Sequence, residues 1–346
     1  MKLAIFVPSL GTGGLASLAL ELGAAAKLRG NEVKIYVHYS SEYLHSSELD
    51  VRSLEVPPPR FSCLKPIIAL LRFIPAQREL FRFKPDYVIC LDPSSAFLCF
   101  VMRALKGKFH LSVACYTPLT LLRKSDTAII RWLYQLADQV VVPSQTTGKN
   151  LLQKNTRMKL RVIPNPYPSS SATCSLNLKQ TREKLSCLYL GRLSKEKGVE
   201  QVLNIAENAK DLRFQIAGGG AEETHLRHEI FQRGIQNIEM IGWQSPSNCL
   251  PKTQVLILPS LVETFGIVII ESWIHGIPVV ASVNADGPRE LISEFGGGAL
   301  VENYDDNLEW VENIRIQMTK PLSDKFLTEI ITRFSGYELI QEWIGC

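Results

Sequence analysis

The stretch "QVLILPSLVETFGIVIIESWIHGIPVVAS", residues 254–282, reads as one βαβ unit. "QVLILPS" is an apolar run of strand length, "LVETFG" is a loop, "VIIESWIHG" is a helix that begins near Gly266–Ile267, and "IPVVAS" is a second β-branched strand. Strand, helix and strand in this order build a parallel sheet. Two carboxylates interrupt the apolar run: Glu263 precedes the helix start and Glu271 lies about one and a half turns inside it. Burying either without hydrogen-bond donors is costly, so both call for partners. A carboxylate only accepts hydrogen bonds, and vicinal sugar hydroxyls donate them in pairs. The N–H groups of Phe265, Gly266 and Ile267 would point out of the helix start, toward a phosphate or a hydroxyl.

The same alternation extends in both directions. "LAIFVPS", "EVKIYV", "PDYVICLD", "FHLSVACY", "ADQVVVPS" and "LRVIPNP" form a series of strands over residues 1–166. "NPYPSSSATCSLNLKQTRE" is a polar, Pro- and Ser-rich linker, placed at 167–181. "LSCLYLGRL", "LRFQIAGGG", "IEMIGW", "QVLILPS", "IPVVAS" and "GALVEN" continue the pattern over 182–335. The fold class is α/β, with two doubly wound domains in tandem and a ligand cleft expected between them.

The eight cysteines form no Cys-x-x-Cys pair and sit mostly in apolar runs, which suggests reduced thiols in a reducing cytoplasm. The N-terminus reaches a glycine-rich loop too soon for a signal peptide, and no run approaches the roughly 20 apolar residues of a spanning helix. Residues 1–165 carry 22 Lys+Arg against 11 Asp+Glu, while the remainder carries 16 against 23, so a net charge of +4 hides a strongly polarised chain. Within the basic half, "RFSCLKPIIALLRFIPAQRELFRFK" (60–84) sets six cations and one anion among Phe, Leu and Ile. It reads either as a solvated helix pair or as an interfacial patch for an anionic bilayer. No nucleic-acid-binding motif accompanies the charge.

Three glycine turns follow strands. "SLGTGGLASLAL" (9–20) places Gly13 and Gly14 before the first helix, yet its spacing fits neither the dinucleotide fingerprint nor the Walker loop. "LYLGRLSKEKGVEQVL" (188–203) sets Arg192 and Lys197 at the carboxyl end of a strand, where a guanidinium fork and an ammonium can hold two phosphates. "AGGGAEETHL" (217–226), with Gly218, leaves little side chain in the way of a base or a ribose.

Together these residues resemble the retaining glycosyltransferases of family 4, the group 1 type. "ETFGIVIIE" resembles their Glu-x7-Glu motif, within Pro-Ser, Glu-x-Phe-Gly and Gly-x-Pro-Val-Val-Ala-Ser; "GRLSKEKG" resembles the diphosphate-binding Gly-Arg-Leu-x-x-x-Lys-Gly, and "VIPNP" the Ile-Pro-Asn near the first domain. The resemblance covers nearly the whole chain. It implies the GT-B fold, two Rossmann-like domains facing a deep cleft, with a last helix at about 336–346 crossing back to the first domain. It implies that Arg192 and Lys197 hold the donor diphosphate, Glu271 the ribose hydroxyls and Glu263 the hydroxyls of the transferred sugar. On the same footing, Phe265, Gly266 and Ile267 contact the leaving phosphate and sugar, Gly218 lines the donor site, and Gly13 and Gly14 cap the phosphates. Glu263, Arg192 and Lys197 are the catalytic candidates.

The implied activity is transfer of a hexose-type sugar from a UDP-, GDP- or dTDP-sugar to a polysaccharide or glycolipid precursor. It would proceed with retention and without metal or other cofactor, at the inner face of the cytoplasmic membrane. Two positions depart from the pattern. Where many members carry an acceptor-side histidine, this chain offers Tyr116 and Thr117, and His110 falls at the other end of that strand. The family's Gly-Gly-x-x-Glu reads "ADGPRE", with Asp286 in place of the first glycine, where it could repel a phosphate, select a sugar hydroxyl or cap a helix. A nucleotide-sugar epimerase or a non-catalytic nucleotide-sugar-binding subunit on the same architecture are the alternatives. Neither the donor base, the acceptor nor the oligomeric state is legible.

Overall fold

The structure, a computed structural model, describes residues 1–10, 14–38, 49–54, 65–105, 107–116, 124–152, 157–167 and 186–345. Gly13, Thr117 and all of the 167–181 linker beyond its first residue lie outside the described residues. The chain divides into two compact units, Met1–Pro166 with Ser335–Cys346, and Tyr167–Phe334.

The first unit holds a parallel sheet of β1 (Lys2–Val7), β2 (Glu32–Val37), β3 (Asp50–Ser53), β4 (Tyr87–Cys90), β5 (His110–Ala114), β6 (Gln139–Val142) and β7 (Leu160–Val162), in the order β3-β2-β1-β4-β5-β6-β7. β3 was not expected, because "DVRS" is short, charged and without alternation. The central strands are buried on both faces, as an all-parallel sheet requires. Helices α2 (Lys65–Phe83), α3 (Pro93–Ala104), α4 (Lys124–Tyr134) and α5 (Gln145–Leu152) cover one face. Residues 65–83 thus form one helix that runs through Pro75, so the expectation of a helix pair over 60–84 is corrected. α1 (Gly14–Leu28) and the terminal helix Gly336–Ile344 cover the other face. Fully buried Leu339, Ile340 and Trp343 seat that terminal helix, and Arg29 fastens its start by stacking on the Tyr337 ring at 3.8 Å and bonding the Tyr337 carbonyl at 2.7 Å.

The second unit holds β8 (Ser186–Leu190), β9 (Arg213–Ala217), β10 (Ile238–Gly242), β11 (Val255–Leu258), β12 (Val279–Ser282) and β13 (Gly298–Val301), in the order β10-β9-β8-β11-β12-β13. Its helices are α6 (Glu200–Glu207), α7 (Glu223–Gln232), α8 (Pro246–Cys249), α9 (Ile267–Ile274), α10 (Asp286–Phe295), α11 (Asn307–Met318) and α12 (Asp324–Arg333), and the terminal helix of the chain is α13. α6, α7 and α11 pack on one face and α8, α9, α10 and α12 on the other. Because β8 lies beside β11, successive crossovers leave that point in opposite directions. This is the switch point at which an open α/β sheet offers a crevice beyond its strand ends.

Candidate functional site

Two loops emerge side by side at this switch point, 191–198 after β8 and 259–266 after β11. Backbone contacts lock them together. The N–H groups of Leu261 and Val262 both donate to the Glu196 carbonyl, at 3.0 and 3.1 Å. Gly198 takes φ +61°, and a Cβ there would stand 2.0 Å from the Pro259 carbonyl oxygen, so only glycine allows this approach. A similar backbone approach joins the next turn, where a Cβ on Gly218 would stand 1.9 Å from the Gly191 carbonyl oxygen. The buried Tyr189 hydroxyl donates to the Arg192 carbonyl at 2.7 Å and sets the course of the first loop.

The consequence is a contact that strand order alone does not reveal: Lys197 Nζ lies 2.5 Å from Glu263 Oε2, with both side chains mostly withdrawn from water. An exposed pair is worth at most about 1 kcal/mol, and withdrawal from water strengthens it. Arg192 differs, since its side chain is 74% exposed and meets Glu196 only at 3.5 Å. A guanidinium so placed is open to an incoming anion.

Gly266, at φ +86°, turns the second loop into α9, whose first N–H groups have no partner within the helix. Phe265 beside it is buried, and Ile267 is half-buried. On the far side the N–H of Gly287 donates to the Glu263 carbonyl at 2.9 Å, and a Cβ on Gly287 would come within 2.5 Å of the Phe265 backbone. Asp286 is not the helix cap, a correction to one sequence reading: Ala285 holds that position, and Asp286 sits in the first turn bound to Arg289 at 2.6 Å. Its carboxylate suits the helix N-terminus there as well.

Glu271, one and a half turns into α9, is buried; its backbone carbonyl meets His275 Nδ1 at 2.8 Å, but its carboxylate takes no hydrogen bond or ion pair from the described residues. Burial alone pushes its carboxyl up to about 7. The two glutamates thus differ: one is balanced by a lysine, the other by nothing in the described fold. Ser260, in the loop after β11, also has its hydroxyl buried without a partner among the described residues.

In the first unit Gly14 opens α1 and is exposed, with nothing within 4 Å of where a Cβ would stand. Tyr116 does not present its hydroxyl: the ring packs on the α1-side core and the oxygen is buried, which raises its pKa. Desolvation is the cause of that rise. His110 starts β5, half-buried against Tyr87. Sequence reading passed over a cluster at the carboxyl ends of β2 and β4. There the His38 ring meets Ser95 Oγ at 2.7 Å, and Asp92 accepts from both Ser94 and Ser95. Burial pushes the Asp92 carboxyl up, but bonds from His38, Ser94 and Ser95 outweigh it and hold it below the ordinary range. Sequence reading also passed over Trp243, which stands 68% exposed just after β10 and beside Gly242, whose carbonyl binds Gly218 N–H at 2.8 Å. A Gly-Trp pair closing a strand was the available signal. Among the described residues no cluster of His, Cys, Asp and Glu is arranged to hold a metal ion.

Comparison with known proteins bears on this geometry. The family model of glycosyl transferases group 1 matches residues 177–331, and that of glycosyltransferase family 4 matches residues 12–170. The chain is 26% identical to sulfoquinovosyl transferase SQD2 of Arabidopsis thaliana, over 62% of its own length and 46% of that protein. It is 34% identical to an uncharacterized 41.2 kDa protein of the Klebsiella pneumoniae cps region, over 68% of this chain and 64% of that one. These two matches therefore span less than two thirds of either relative. A third spans almost everything: 24% identity over 99% of this chain and 97% of an α-1,4-N-acetyl-D-galactosaminyltransferase of Campylobacter jejuni, named for a GalNAc-containing diNAcBac-PP-undecaprenol. Among solved structures, the apo lipopolysaccharide outer core galactosyltransferase WaaB superposes with a TM-score of 0.75 at 19% identity, covering 100% of this chain and 99% of its own. Anabaena HepE in complex with UDP and glucose gives 0.73 at 16%, covering 99% and 95%. At these identities the structures establish the fold, which is GT-B with two Rossmann-like domains.

Proposed function

The chain belongs to the group 1 and family 4 glycosyltransferases, and on that premise we propose that it transfers a hexose-type sugar from a nucleotide-sugar, with retention of configuration, in the synthesis of a cell-envelope glycan. The observation that carries the reading is the convergence of Lys197, Glu263, the open start of α9 and the uncompensated Glu271 at one switch point. An elongated donor of hydroxyls and phosphates suits this row of groups. The ribose hydroxyls would donate to Glu271. The diphosphate would meet Arg192, Lys197 and the amides at 265–267, beside Gly218, and the sugar hydroxyls would meet Glu263.

In the reaction the anomeric carbon–oxygen bond breaks, and the electron pair leaves with the nucleoside diphosphate. Cations and helix N–H groups stabilise that charge as it develops, the part an oxyanion hole plays in acyl transfer, so the proposal needs neither a metal nor another cofactor. The acceptor hydroxyl oxygen bonds the same face of an oxocarbenium-like sugar as its proton passes to the departing phosphate oxygen. The Campylobacter relative, named for a diNAcBac-PP-undecaprenol, supports a lipid-linked acceptor, and use of such an acceptor would bring the enzyme peripherally to the inner face of the cytoplasmic membrane. No described helix is long and apolar enough to cross a bilayer.

The test is a calorimetric screen of UDP-, GDP- and dTDP-sugars, followed by donor hydrolysis in wild type and Glu263→Ala. One donor should stabilise the protein by mass action, and wild type should hydrolyse it slowly while the variant does not. Binding without hydrolysis in wild type would identify a non-catalytic binder, and binding of none would refute the reading.

A further inference from the structure

We infer that the outer face of α2, α3 and α4 in the first unit docks on an anionic lipid bilayer. The three helices lie side by side on one face of the first sheet, with α3 between its two neighbours. Each buries one stripe, represented by Leu80, Cys99 and Leu133. The opposite stripes hold Ile74 and Phe81 on α2, Phe97 on α3 with Leu105 just past its end, and Trp132 on α4 with Leu136 just past its end, all 45–64% exposed. Isolated apolar residues on a surface need no explanation. Here six of the fourteen large hydrophobic side chains exposed among the described residues fall on this one face. Arg103 holds two of the stripes together, bonding Asp138 at 2.5 Å and the Leu136 carbonyl at 2.8 Å.

Cations are interleaved with this apolar surface. Arg78 and Arg82 are exposed on the α2 stripe that carries Ile74 and Phe81, and the exposed Lys84 and Lys108 follow α2 and α3. Among the described side chains the acidic groups nearby are fewer: Glu79 is half-buried, Asp86 accepts from the Lys2 backbone N–H at 2.7 Å, and Asp138 is paired with Arg103. A surface with apolar tips between long cationic side chains suits acyl chains and anionic headgroups together. It suits a second copy of this chain poorly, since the same cations would face one another. The inference deepens the lipid-linked acceptor reading and rests on it only for a reason to be at a membrane.

The experiment is flotation of the full chain with vesicles of phosphatidylcholine alone, or of phosphatidylcholine and phosphatidylglycerol in equal parts, without nucleotide-sugar. Brominated lipids report on Trp132. Binding is expected on the anionic vesicles and should weaken as salt is raised. Reversing Arg78 and Arg82 to Glu should weaken it by more than about tenfold, from roughly fivefold per cation removed. Phe81→Ser with Trp132→Ser should abolish flotation, and the Arg78 and Arg82 reversals, which keep Trp132, should reduce its quenching. Nucleoside diphosphate binding, followed by calorimetry in the same samples, should be unchanged in both variants, which shows that they fold. Absence of flotation on anionic vesicles, or flotation indifferent to these substitutions, would overturn the inference. So would a dimer in sedimentation that the same substitutions dissolve, because the face would then belong to a second copy. Loss of nucleotide binding in wild type would instead sink the transferase reading while leaving the flotation result to stand on its own.

Discussion

Replacing Glu271 by Gln should stabilise the second unit at alkaline pH and weaken its hold on a nucleotide. In the folded chain burial raises this carboxyl from the ordinary 4.5 to about 7. Between those values the native state binds more protons than the unfolded state, so stability falls as pH rises through that window and stays low above it. Each pKa unit corresponds to about 1.36 kcal/mol, which puts the whole penalty on the order of 3 kcal/mol. Gln carries its own desolvation cost, but that cost does not titrate. The informative quantity is therefore the change with pH in the stability gap between variant and wild type. From about pH 5 to about pH 8 the gap should move in favour of Gln by roughly 2 to 3 kcal/mol, or several degrees in Tm for a unit of this size. Thermal or urea unfolding at the two pH values measures it. A gap that stays constant, or that moves toward wild type, would refute the argument that Glu271 is charged at a cost within the fold. The same variant should bind nucleoside diphosphate about ten- to a hundredfold more weakly, because charge-assisted bonds to two hydroxyls are lost.

The remaining predictions concern the groups around it. Lys197→Met should weaken binding of both nucleoside diphosphate and nucleotide-sugar, whereas Glu263→Gln, which frees Lys197 from its 2.5 Å partner, should weaken only the nucleotide-sugar. Calorimetry with the two ligands checks this, and an equal loss in both for Glu263→Gln would contradict the assignment of that group to the sugar. Gly287→Ala forces a methyl to within 2.5 Å of the Phe265 backbone, so it should cost about 1–3 kcal/mol in chemical denaturation and displace the α9 entry enough to lower nucleotide affinity. In the first unit Trp343→Ala empties a fully buried site under the terminal helix and should cost about 3–5 kcal/mol, while Trp343→Phe, which also removes a buried indole N–H without a partner among the described residues, should cost clearly less.

Much of the fold was legible because its strands are buried on both faces and so appear as short apolar runs between helical patterns. β3 escaped because Asp50–Ser53 is an edge strand, where charged residues face water and no alternation is imposed. The single α2 helix was not legible because an interior proline removes one backbone N–H, yet the helix runs through Pro75, with Ala76 and Leu80 buried against the sheet just beyond it. At the site, residue types could be read but not their meetings. Lys197 and Glu263 stand 66 positions apart and come together only because β8 pairs with β11, a choice of strand order that the local pattern does not encode. Tyr116 shows the converse limit. Its position at the carboxyl end of β5 was readable, but the direction of its side chain was decided by packing under α1.

The unequal state of the two glutamates follows from where the backbone can bring a cation. Glu263 lies on a loop locked to its neighbour by Gly198 and the Glu196 carbonyl, so the fold itself delivers the ammonium of Lys197 to it. Glu271 lies on the buried side of α9, where Ile269, Ile270, Trp273 and Ile274 close the helix against the sheet and bring it no charge. Replacing Glu271 by an apolar residue would stabilise this packing, so the fold gains nothing from a carboxylate there. A carboxylate kept at such a cost is accounted for by a partner that arrives with hydrogen-bond donors, as a ribose does. Lys197, in turn, leaves Glu263 for a diphosphate at a lower cost when Glu263 receives donors in exchange, and the hydroxyls of an attached sugar supply them. On the proposed assignment, phosphate binding and sugar recognition are thus coupled through one ion pair. The ligand that satisfies the whole site is the intact nucleotide-sugar, in preference to either of its halves.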